Sequence, residues 1–116
     1  MQERSWNSVE VRFIDYDQVL ADLRRAVAEA KAAHPEIIKV YLFGSLVQGN
    51  WTAASDADLI VVVRKEFADM LGRGSYHISV QSIPTDTVVY SASEFEKLAQ
   101  DPSSFLAQNL STAIEL

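Results

Sequence analysis

The chain contains no cysteine, so it has neither a disulfide framework nor a thiolate metal site. Histidine is nearly as scarce. His34 precedes a proline at a helix end and is expected to face solvent, and His77 has no second histidine or cysteine at ligand spacing. No apolar run approaches the roughly 20 residues that cross a bilayer. The opening stretch MQERSWNSVEVRF is charged and lacks the apolar core of a secretory signal. A cytoplasmic protein without a membrane partner is expected. Basic residues are outnumbered, 10 against 16 acidic, and a net charge of −6 repels phosphate backbones, so nucleic acid is not the expected partner. Part of that negative charge has another reading, as carboxylates that are neutralised once they hold divalent cations. With 116 residues and no repeat, low-complexity tract or linker, residues 1–116 are expected to form a single domain, too short to add a separate substrate-binding one.

What the chain does have is concentrated in residues 42 to 63, LFGSLVQGNWTAASDADLIVVV. An apolar run stops at Gly44-Ser45 and resumes after Asp56 and Asp58. Around it the elements alternate. DYDQVLADLRRAVAEAKAAHPE predicts a helix, with Val19, Leu20, Leu23, Val27 and Ala30 on one face and Arg24, Arg25, Glu29 and Lys31 elsewhere. Asp15 or Asp17 caps its start, and Pro35 ends it near His34. IIKVYLF, which includes Tyr41, and DLIVVV read as strands buried on both faces. Residues 65 to 73, KEFADMLGR, predict a short helix with Gly72 or Gly74 as its stop, YHISV a strand or extended loop, and TDTVVYS a strand. SEFEKLA predicts a helix opened by a Ser93–Glu96 capping box. DPSSFLAQNLSTAIEL predicts a final helix capped by Asp101, with Pro102 in its first turn and Phe105, Leu106, Leu110 and Ile114 as its apolar stripe. The fold class is therefore α/β or α+β, one mixed sheet with helices packed on it.

Residues two apart in a strand project from the same face, so Asp56 and Asp58 are expected to share one space. Two bare carboxylates there repel, and one is pushed toward protonation unless a cation sits between them. Mg²⁺ suits that place, because it takes oxygen ligands and leaves room for substrate phosphates. Gly44 lets an anion approach the backbone without meeting a Cβ, and Ser45 adds a hydroxyl at the start of a helical turn. Each part alone is ordinary: a Gly-Ser turn is usually a plain loop, and Asp-x-Asp is common at caps. Their combination is more specific.

Gly-Ser, ten residues, then Asp-x-Asp-Leu heading an apolar strand resembles the signature of the DNA polymerase β-like nucleotidyltransferase superfamily, together with Phe43, Gly49 and Ser55. Within it the chain resembles the minimal nucleotidyltransferases, the MNT proteins encoded beside HEPN-domain proteins, over nearly its whole length. That resemblance implies a third carboxylate, Asp86 in PTDTVVYS, completing the catalytic and metal-binding set Asp56, Asp58 and Asp86. It implies two Mg²⁺ ions, ATP as substrate, and nucleotide contacts at Gly44, Ser45, Gln48, Gly49 and Ser55. It also implies a HEPN-domain toxin as partner, a tyrosine hydroxyl of which accepts AMP, with this chain as antitoxin. Whether the protein is a homo- or hetero-oligomer stays open.

Two positions depart from the pattern. Gln48 stands where most relatives carry a basic residue, and Val47 replaces a usual alanine. Glutamine donates a hydrogen bond but no charge, and charge-assisted bonds are about twice as strong. Arg64, Lys65 or Arg73 are candidates to supply charge from elsewhere, and Trp51 either packs or stacks on a base. The alternative to an active transferase is a binding module that keeps the fold, is catalytically weak or inactive, and neutralises its partner by contact.

Overall fold

Asp15 opens the first helix by accepting a hydrogen bond from the Gln18 N–H at 3.1 Å. The computed structural model describes residues 15–52, 54–67 and 71–116, so MQERSWNSVEVRF lies outside the described residues. Chain order is α1 (Tyr16–Ala33), β1 (Ile37–Phe43), α2 (Ser45–Gln48), β2 (Ala57–Val63), a 3₁₀ turn (Leu71–Tyr76), β3 (Thr85–Ser91), α3 (Ala92–Ala99), α4 (Phe105–Leu110) and β4 (Ile114–Glu115). The strands form one mixed sheet in the order β3-β2-β1-β4. β1 runs antiparallel to β2 and β4, and β3 runs parallel to β2. Among the described residues no helix is long and apolar enough to cross a membrane.

β2 is one of the two inner strands, with every residue from Leu59 to Val63 buried. That continuous apolar run is what two covered faces require. On one face, Val19, Leu23 and Val27 of α1 pack with Val40, Leu42, Leu59, Val61 and Val63. Their spacing is the helical stripe expected from the sequence, and a fully buried leucine such as Leu23 contributes about 2 kcal/mol. On the other face, Phe43, Ile60, Val62 and Leu106 are buried together, with Phe95, Leu98 and Leu110 of α3 and α4 beside them. Tyr41 belongs to this layer, its ring stacked on Phe95 at 5.9 Å. His34 is half-buried rather than solvent-facing: it caps α1 through its backbone N–H and lies edge-on to Tyr76 at 5.2 Å.

The later elements differ from the sequence expectation at their ends. The capping box uses Ser91 and Glu94, two residues earlier than Ser93 and Glu96. Both pairs fit the S-x-x-E pattern, and the chain enters α3 as soon as β3 ends; Ser93 instead donates to Glu66 at 2.8 Å. The terminal helix is much shorter than expected. Asp101 accepts from the Ser103 N–H in a turn, Ser104 caps α4, and the helix stops at Leu110. Ile114 then pairs with Leu42 as a strand. The open edge of β1 offers ladder hydrogen bonds there, and β-branched Thr112 and Ile114 gain little from helix. In KEFADMLGR, residues 65–67 have no helical structure and residues 68–70 lie outside the described set. The 3₁₀ turn runs through Gly72 and Gly74 instead of stopping at them. YHISV makes no strand: Tyr76 ends the 3₁₀ turn, and the following loop is held to β3 by the Thr85 hydroxyl, which donates to the Ile78 carbonyl at 2.6 Å.

Candidate active site

β1 ends at Phe43, and the next residue turns the chain sharply. Gly44 has φ 86°, in the region that favours glycine, and its carbonyl accepts from the Val47 and Gln48 N–H groups at 3.1 Å each. A second constraint is steric: a Cβ on Gly44 would collide with Oδ2 of Asp58. The glycine lets the turn and the aspartate occupy adjoining space. α2 is a single turn closed by Gly49 at φ 85°, and Gln48 and Gly49 are both exposed. The Ser45 hydroxyl donates to the Ser55 hydroxyl at 3.3 Å, which also accepts from the Thr52 N–H at 2.8 Å. These bonds fold the connection back on itself and bring Ser45 and Ser55 together beside the aspartates. Trp51 is half-buried against the α1-side core, which favours its packing role.

The sheet register places the carboxylates. The Ala57 N–H donates to the Pro84 carbonyl at 2.9 Å, joining the starts of β2 and β3. Asp58 and Asp86 are then direct partners across the parallel pair, and Asp56 lies just before β2. Asp56 and Asp86 are exposed, whereas Asp58 is half-buried. Burial pushes the Asp58 carboxyl above the ordinary aspartate range, and the negative charges of Asp86 and Asp56 push it further the same way. Both other sequence-predicted carboxylates therefore act on Asp58. Among the described residues, no group of three or more acidic or histidine side chains is gathered closely enough to hold a metal ion. The three aspartates offer oxygen donors only, the type that a hard divalent ion takes.

Positive charge lies elsewhere. Arg64 and Lys65 follow β2 at the end opposite Asp58. Arg73 is committed to Glu94 through two bonds of 2.8 Å and to the Val89 carbonyl at 2.7 Å. None of these three reaches the aspartate end of the sheet. A cavity of about 560 Å³ opens along β3 between Arg73, His77, Tyr90 and Leu98, and its lining does not include the aspartates. The sequence reading also overlooked Phe43 as the direct partner of Asp58.

Comparison with known proteins agrees with this geometry. The family model described as Polymerase beta, Nucleotidyltransferase matches residues 26–115, which include every one of these site residues. A crystal structure of a candidate nucleotidyltransferase from Sulfolobus solfataricus superposes with a TM-score of 0.57 at 21% identity, covering 71% of this chain and 75% of that one. At that identity the likeness is one of fold. No curated protein matches the chain.

Proposed function

The chain belongs to the polymerase β nucleotidyltransferase family, and from that premise we propose that it is a Mg²⁺-dependent enzyme transferring AMP from ATP to a hydroxyl. The proposed acceptor is a tyrosine of a HEPN-domain toxin, which makes this chain the antitoxin. The observation that carries the reading is the in-register pair Asp58–Asp86, with Asp58 pushed toward protonation by burial and its acidic neighbours. A fold gains nothing from such repulsion on its own, and a cation relieves it.

In this reading Asp56, Asp58 and Asp86 would hold two magnesium ions, which when bound neutralise the triphosphate and make the acceptor hydroxyl easier to deprotonate. Gly44 and Ser45 hold the β- and γ-phosphates, with Gln48, Gly49 and Ser55 around them. Asp86 sits toward the acceptor and favours loss of its proton. The acceptor oxygen forms its bond to the α-phosphorus as the bond to the β-phosphate oxygen breaks, and pyrophosphate leaves in line. A second reading, a binding module with weak or no turnover, draws on exposed, uncharged Gln48 and on the distance of Arg64, Lys65 and Arg73.

The test is calorimetric titration of ATP with and without Mg²⁺, on the natural chain and on Asp56→Ala/Asp58→Ala. It is followed by transfer of label from α-labelled ATP to a HEPN-domain partner. Binding that requires both metal and aspartates, with label on a tyrosine, is the expected result. Metal-dependent ATP binding with no label transferred favours the contact module, and binding that ignores the aspartates sinks the clamp.

A further inference from the structure

β3 is an edge strand, so among the described residues no further strand lies beyond Asp86 on the side away from Asp58. Along that edge lies the cavity of about 560 Å³. Its lining starts at Thr87, the residue after Asp86, and follows β3 through Val88 to Tyr90. Asp86, Val88 and Tyr90 are two apart in sequence and share one face of the strand. Across the cavity stands His77, whose Nε2 lies 3.4 Å from the hydroxyl of Thr85, the residue before Asp86. The near end of the cavity therefore adjoins the Asp86 position.

The walls decide what kind of group fits. Val88, the Tyr90 ring and Leu98 of α3 make them largely apolar. The guanidinium and the carboxylate in the lining, Arg73 and Glu94, already bond each other through two contacts of 2.8 Å. That pairing leaves neither to hold a phosphate or an amine, and an uncharged apolar group gains most from entering. Arg73 also bonds the Val89 carbonyl at 2.7 Å, so turn, strand and helix are tied together around the space before a ligand arrives. Position names the occupant. In the transfer reading the acceptor hydroxyl sits at Asp86, and the cavity runs one to four residues farther along β3, about 3 to 13 Å at the rise of a strand. What fills it is then the part of the acceptor next to the hydroxyl: for a tyrosine in a polypeptide, a neighbouring side chain.

We propose that the β3 cavity is the acceptor subsite, seating an apolar side chain of the acceptor polypeptide within about four residues of the hydroxyl that receives AMP. The inference rests on the transfer reading above and adds to it what the enzyme reads around the tyrosine.

Gly74 also lines the cavity, and a Cβ there meets no atom within 4 Å. Gly74→Trp therefore narrows the space without a backbone clash, Val88→Gln makes the wall polar, and Gly74→Ala is the control. Thermal melting checks that each folds. The probes are synthetic peptides with one tyrosine, carrying leucine or serine at each position up to four residues on either side, given with Mg²⁺ and α-labelled ATP. On the natural chain and Gly74→Ala, leucine at one of those positions is expected to raise kcat/KM for the peptide roughly 10- to 100-fold over serine. Gly74→Trp and Val88→Gln should abolish the preference while ATP affinity, read by calorimetry, stays the same. A preference that survives in both variants overturns the subsite, as does label transfer that ignores the flanking residues. Loss of ATP affinity in both variants also overturns it, because the cavity would then be shaping the nucleotide end. Label on the HEPN-domain partner with none on any peptide overturns it too and leaves the transfer reading intact. Label on neither peptides nor partner overturns both readings.

Discussion

Glu94 and Asp58 are acids at the two ends of one parallel strand pair, and their surroundings pull their carboxyls in opposite directions. Glu94 accepts from both terminal nitrogens of Arg73 and from the Ser91 N–H. The Arg73 hydrogen bond dominates, and the Glu94 carboxyl is held down at about 2. The same guanidinium lies over the Phe67 ring at 4.6 Å and bonds the Val89 carbonyl, so it clasps the 3₁₀ turn to α3 across the edge of β3. Among the described residues, Asp58 receives no such partner. Its neighbours are two more aspartates, and its carboxyl is pushed up. Where the chain supplies its own counter-charge, the acid serves the fold. Where it places like charges together, the acid is left for something that arrives from outside.

The largest effect expected from breaking this contrast is at Asp58. Asp58→Asn should lower label transfer about a thousandfold, by removing a carboxylate from the centre of the charged set. In chelator near neutral pH the same variant should be more stable than the natural chain. A raised carboxyl costs stability once pH exceeds its folded value, and the amide has no charge to repel. A rise in Tm of roughly 4 °C corresponds to about 1 kcal/mol in a domain of this size. A fall in Tm would mean that Asp58 serves the fold, and the contrast with Glu94 would collapse. Gly44→Ala comes next, since it combines a backbone at φ 86° with a collision at the Asp58 carboxylate. The expected cost is about 1–3 kcal/mol in chemical denaturation, with loss of Mg²⁺-dependent ATP binding.

How much of this was legible in advance follows from the range of the interactions. α1 and its stripe, the two apolar strands and the Asp15 cap are local patterns, and the structure keeps them. The aspartate strand that holds Asp86 was readable as a strand, TDTVVYS, but its pairing with Asp58 depends on a parallel register that no local pattern states. Ser91 and Ser93 both fit a capping box, and the choice between them was made by where β3 ends and by Arg73, 21 residues from Glu94 in sequence. The terminal helix was overextended because the pull on Ile114 comes from the open edge of β1, about 70 residues earlier in the chain. Phe105 was taken for one residue of a helical stripe; shortening α4 to Phe105–Leu110 leaves it at the first position, half outside the core.

Arg73→Met sharpens the other side of the comparison. It retains an aliphatic stem over Phe67 but removes the donors to Glu94 and Val89. A cost of about 1–2 kcal/mol is expected, with the KM for ATP unchanged, because the clasp lies away from the aspartates. The pH dependence has a definite sign. Glu94 is depressed from 4.5 to about 2, so its contribution is fully present above pH 4.5 and fades as pH falls toward 2. The Tm gap between the natural chain and Arg73→Met should therefore be full near neutrality and narrow across that window. A gap that is constant with pH would assign the stabilisation to the Val89 carbonyl bond instead.

The smallest expected effect is at Gln48, and it tests whether the shortage of positive charge at the aspartate end limits binding. Gln48 is exposed at the end of α2, so a longer charged side chain fits there without disturbing the core. Gln48→Arg restores the basic residue usual in relatives and offers a charge-assisted bond to phosphate. Exposure to solvent holds the gain to about 0.2–1 kcal/mol, or roughly 2- to 5-fold in ATP affinity, and the gain should shrink as salt is raised. Stability should not change. If affinity rises and transfer rises with it, the natural glutamine simply moderates an active site. If affinity rises while transfer stays at background, phosphate charge was not what held turnover back, and the contact-module reading gains.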